Sequence, residues 1–293
     1  MRSFAYLLLA SLVLASLLRP AAAENGNPAM EGPMASFYAQ KWDDAITGFE
    51  AVLDQDPQNT MAMAFYLDSY FHKRDINGVI NKIEQRAVSG GDSPVLQAHL
   101  GMAYFLRGRL MPNVLEEALS EFKQALKDDP NQAMAHCGMG LVYFQKRMMP
   151  RAKGYFIKAL RLNPHDTMAM EQLGNILLVD EKKAGDALQL FQRINAELPT
   201  YPDGYYYTGS SYFDLQNYDQ AIAHLIKALE LDPNGITMGY DSACLLGDCY
   251  MKVNRYPEAI AAYEQAKKIH PDSQYVAIKI KKAKEQSAGG GTK

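Results

Sequence analysis

Asp241 and Asp248 stand seven residues apart with Cys244 between them. On a helix that spacing puts two carboxylates and a thiol on one face, where they could hold a cation, although a solvated or ligand-facing surface explains them more simply. The six histidines, His72, His99, His136, His165, His224 and His270, include no pair at i, i+3 or i, i+4 that would bring two imidazoles onto one metal. Cys244 and Cys249 are five apart, about 140° around a helix, and cannot bond to each other within it. Cys137 is far from both in the chain, so three buried free thiols are expected. There is no glycine-rich phosphate loop, nucleophile elbow or supported pair of acids. The expectation is a protein that is not an enzyme and carries no cofactor and no metal.

The chain has 293 residues, 48% hydrophobic and 22% charged, enough to bury a sizeable core. Thirty Lys and Arg against 33 Asp and Glu give a formal charge of −3, which offers no excess of cations for a phosphate backbone and argues against nucleic acid as a partner. Residues 1–23 read as a secretory signal: Arg2 is the positive start, Ser3 to Leu18 is uncharged and apolar, and Ala21-Ala22-Ala23 precedes Glu24. Arg19-Pro20 cuts the apolar run short of the roughly 20 residues a spanning helix needs, so no membrane span is expected after cleavage. None of the thirteen Asn after residue 23 begins an Asn-x-Ser/Thr acceptor site, which favours a bacterial periplasm, with a secreted or signal-anchored protein as the alternative.

Beyond residue 32 a repeat of about 34 residues dominates. Ala45, Val79, Ala118, Ala152, Ala187, Ala221 and Ala259 form one rung, and four residues after each stand Phe49, Ile83, Phe122, Phe156, Phe191, Leu225 and Tyr263. Gly101, Gly140, Gly174, Gly209 and Gly247 form a second rung; Pro57, Pro130, Pro164, Pro199, Pro233 and Pro271 form a third. Apolar residues at helical spacing around each glycine predict a first helix, and Ala-x-x-x-Phe-x-x-Ala predicts a second. A glycine inside a helix costs about 1 kcal/mol relative to alanine, so one recurring at the same place calls for a close backbone contact in return. Proline stops the second helix.

This pattern resembles the tetratricopeptide repeat family, whose Leu-Gly, Tyr, Ala, Phe, Ala and Pro positions are met by Met139-Gly140, Tyr143, Ala152, Phe156, Ala159 and Pro164, and by Leu246-Gly247, Tyr250, Ala259, Tyr263, Ala266 and Pro271. The resemblance implies an all-α, right-handed superhelical solenoid of antiparallel helix pairs over residues 33–273. About seven units are followed by a capping helix over 274–286, with a flexible stretch over 24–32 and a disordered tail over 287–293. The repeat also departs from itself. Repeat two lacks the Gly and Pro. Repeat three has five extra residues, expected in a turn around Gly108 to Asn113, with Asn113 as the next N-cap. Four extra residues after Pro233 predict a longer first helix in the last repeat.

In this family the first helices line a concave face. Carried over by position, the groove would present Met102 and Phe105; Met134, Cys137, Leu141 and Phe144; Glu171 and Asn175; Asp203, Tyr206, Ser210 and Phe213; and Asp241, Cys244, Asp248 and Met251. Phe105, Phe144 and Phe213 could equally pack on the preceding repeat, whereas Tyr206 is expected to be exposed. The Lys and Asn set of a carboxylate clamp is missing apart from Asn175. A groove rich in Met and acidic toward its C-terminal end suits a protein or peptide partner with a basic end. The expected function is an envelope scaffold for protein–protein interaction. The alternatives are a holdase-like chaperone for exported chains and an accessory subunit of a cell-wall enzyme.

Overall fold

In the computed structural model the described residues are 27–90, 93–111 and 114–289, and among them the structure is entirely helical, with fifteen α-helices. The proposed signal, Asn113 and residues 290–293 lie outside them. The chain divides into two compact units, the first ending at Ile176 and the second beginning at Leu177.

The first unit holds α1 (Pro28–Tyr38), α2 (Trp42–Gln55), α3 (Thr60–His72), α4 (Ile76–Gly90), α5 (Pro94–Leu110), α6 (Leu115–Asp128), α7 (Ala133–Gln145), α8 (Met149–Leu162) and α9 (Thr167–Asn175). Successive helices pack as antiparallel neighbours, and the first helices of the repeats also touch one another: α3 meets α5, α5 meets α7, α7 meets α9, and α3 meets α9. The second unit holds α10 (Ala184–Glu197), α11 (Pro202–Asp214), α12 (Tyr218–Leu231), α13 (Gly239–Lys252), α14 (Tyr256–Ile269) and α15 (Gln274–Gly289). There α11 packs on α12 and α13, and α15 covers α14.

The three rungs have direct physical counterparts. Second helices end two residues before a proline, at Gln55, Asp128, Leu162, Glu197, Leu231 and Ile269. The rung glycines make room for the rung aromatics: a Cβ on Gly140 would stand 2.5 Å from the Phe156 ring, and one on Gly247 would stand 2.4 Å from the Tyr263 ring. Phe49, Phe122, Phe156, Phe191 and Tyr263 are fully buried. Each described turn between the two helices of a repeat carries one left-handed residue, namely Gln40, Arg74, Arg147, Lys182, Gln216 and Asn254.

Several expectations are corrected. Residues 28–32 are helical rather than flexible, because Asn27 accepts a hydrogen bond from the Ala29 amide and Pro28 takes the first helical position. The repeat-three insertion lengthens α5 to Leu110 instead of sitting wholly in a turn. After Pro233 most of the extra residues form a turn, not helix. There the buried Asp232 carboxylate accepts the Ile236 amide at 2.9 Å and the Thr237 amide at 3.0 Å, and Gly235 takes a φ of +67°. α15 runs through Ser287–Gly289, past the expected end of the cap at 286. Repeat two, despite its missing signature, forms both its helices.

A single extra residue is absorbed differently. From Gly174 to Ala187 the step is 13 residues, where Gly140 to Ala152 takes 12. The helix opens into a π-turn over Ile176–Asp180 at that point.

Candidate interaction surfaces

In the N-terminal unit, the inner layer of first helices closes on itself. Asn59, Gln132 and Asp166 cap α3, α7 and α9, each two residues after a rung proline. The Asp166 carboxylate does more than cap. Its Oδ1 accepts the Ala169 amide at 3.0 Å, and its Oδ2 accepts the Thr60 hydroxyl at 3.1 Å, across 106 residues of chain. Asp166 is only 3% exposed, and burial pushes its carboxyl up to about 6 against the lowering effect of these hydrogen bonds. The Cys137 thiol, fully buried on α7, also bonds to Asp166 and is held well above its ordinary range by burial.

This closure corrects the expected groove in its first half. Met102, Met134, Cys137, Leu141 and Glu171 are all buried in a layer where the first helices pack on one another and α3 meets α9. Phe105, Phe144 and Asn175 are half-buried. No sequence pattern announced the contact, since α3 and α9 belong to repeats three apart. The caps, however, were readable as polar residues at a fixed step after proline.

The C-terminal unit differs. On α11, Tyr206 and Phe213 are half-buried, packed against a core that includes Leu225, Leu246 and Tyr263. Tyr206 is therefore not the fully exposed residue expected, and burial lifts its phenol to about 12. Asp241 is exposed on α13, and Met251 is half-buried. Cys244 is buried, its thiol raised to about 11 by burial.

The acidic end is largely engaged by the chain itself. Asp203 is buried and accepts the hydroxyl of Thr237. Asp248 accepts the Tyr263 hydroxyl at 2.5 Å, the Tyr275 hydroxyl at 3.3 Å and the Lys279 ammonium at 2.6 Å. Of the three acids expected to attract a basic partner, only Asp241 remains exposed, so the expectation of a basic-ended partner does not stand.

No group of three or more His, Cys, Asp or Glu is arranged to hold a metal among the described residues. His99 and His136 are spent on structure. Each has its Nε2 on a proline carbonyl, of Pro57 at 2.6 Å and Pro130 at 3.0 Å, and burial pulls both imidazoles below their ordinary pKa. Among the described residues no helix is long and apolar enough to cross a membrane.

Paired helices recurring every 34 residues or so, with glycine facing a large rung side chain of the pair, define a helical solenoid of the helix-pair type. Family models agree: models described as tetratricopeptide repeat match residues 178–238, 212–281 and 150–202, and one described as TPR repeat matches 101–146. The chain belongs to the tetratricopeptide repeat family. It is similar to Superkiller protein 3 of Schizosaccharomyces pombe, 24% identical over 250 residues that cover 81% of this chain and 18% of that protein. It is also similar to Superkiller complex protein 3 of Homo sapiens, 26% identical over 82% of this chain and 15% of that protein. The chain thus spans less than a fifth of the length of either relative.

Among solved structures, the Cut9-Hcn1 hetero-tetramer of APC/C matches with a TM-score of 0.64 at 15% identity, covering 85% of this chain and 48% of that one. The Pseudomonas aeruginosa pilF structure matches with a TM-score of 0.57 at 16% identity, covering 78% of this chain and 97% of that one. At these identities the likeness establishes the fold alone. Proteins of this family are protein–protein interaction scaffolds, and the fold is typically non-catalytic.

Proposed function

We propose that this chain is an exported, non-enzymatic scaffold that takes a segment of a protein partner on the first-helix face of its C-terminal unit. The observation that carries this reading is that Tyr206, Phe213 and Met251 keep part of their surface accessible, with the exposed Asp241 beside Tyr206. Half-buried aromatic side chains beside polar ones are the usual anchors of a protein interface. The apolar run and small-residue site of residues 1–23 support export to a bacterial periplasm.

Crosslinking of intact cells followed by mass spectrometry tests both parts. One dominant partner is expected, with crosslinks on α11 and α13. In Asp241→Lys that partner is lost while the melting temperature moves by no more than about 2 °C, since Asp241 is exposed. A broad set of unfolded clients would instead favour a holdase. The protein recovered from the periplasmic fraction should begin at Glu24, and recovery of the uncleaved chain from the cytosol would defeat the export reading.

A further inference from the structure

The closed inner layer of the N-terminal unit buries polar groups among its apolar residues. The buried polar residues of this layer include Thr60, Gln132, Asp166, Thr167 and Glu171, two of them carboxylates. The Gln132 Nε2 is buried and finds no acceptor there. Burying such groups is unfavourable unless each is fully paired, which makes this contact costlier than an all-apolar one. The chain's own α3 makes it, held at Thr60 by the Asp166 carboxylate.

We propose that the Thr60–Asp166 contact is an autoinhibitory clasp, with α3 covering the N-terminal end of α9 and its release laying that end open. The reading rests on the scaffold function only for its purpose: a released end would give the scaffold a second, gated surface. Opening itself requires no partner. Cys137 reports it, because its thiol is fully buried against Asp166 at that end.

The full chain treated with N-ethylmaleimide, with each cysteine followed by peptide mass spectrometry, tests the clasp. Thr60→Val keeps the side-chain shape and removes the hydroxyl, so Cys137 should be labelled about tenfold faster than in the parent, the effect of one lost hydrogen bond on an opening equilibrium. Cys249, equally buried in the C-terminal unit, should keep its rate. Thr60→Ser restores the hydroxyl and should restore slow labelling. An unchanged Cys137 rate in Thr60→Val overturns the clasp. So does fast labelling in Thr60→Ser, or a parallel rise at Cys249, which would signal general unfolding. Failure to capture any partner would count against the scaffold reading and leave these rates untouched.

Discussion

Asp166 is a buried carboxyl whose pKa is raised by folding. Such a group binds its proton more tightly in the native state, so its contribution is fully present below about pH 4 and is lost as pH rises through about 6. Asp166→Asn retains an oxygen for the Ala169 amide and removes the buried charge. Urea unfolding at pH 4.5 and pH 7.5 should show the parent losing stability relative to Asp166→Asn across that interval; parallel curves would mean the carboxyl is not perturbed. Side chains at this scale were unevenly legible in the sequence. Rung residues such as Phe156 and Gly140 could be assigned because their partner lies one hairpin away at a fixed spacing. Met134 and Glu171 were misplaced because their burial depends on how the first helices pack on one another, which curvature decides and periodicity does not record.

At the scale of elements, the repeats accommodate insertions in three ways: α5 lengthens, a capped turn forms after Asp232, and the π-turn at Ile176–Asp180 takes up one residue. All three could be located by counting between rungs, but counting alone did not say whether the surplus would become helix or loop. The left-handed turn residues follow the same register, and none of the six is glycine. A non-glycine residue in that conformation costs about 1–2 kcal/mol, part of which returns as the greater freedom of glycine in the unfolded chain. Gln216→Gly should therefore stabilise the C-terminal unit by about 0.5–1 kcal/mol in chemical denaturation. A loss of stability would show that the Gln216 side chain supplies a contact of its own.

Across the whole chain, two units with separate cores imply separate responses to damage. α15 buries Val276, Ile280 and Ala283, and its Lys279 neutralises Asp248. Ending the chain at Ser273 should uncover the apolar side of α14 and cost about 3–5 kcal/mol by the area rule. In hydrogen–deuterium exchange, α13 and α14 should lose protection while α7 and α8 keep theirs. Uniform loss over all helices would show a single cooperative structure.

The contact between rung glycines and rung rings also makes the molecule self-reporting in solution. The α-protons of Gly140 and Gly247 occupy the space beside Phe156 and Tyr263, whereas Gly209 faces the aliphatic Leu225. Aromatic circulation should displace the first two resonances from their random-coil frequencies and leave the third near its own. One nuclear spin would thus announce the docking of a hairpin in each unit, with an internal blank supplied by the same chain.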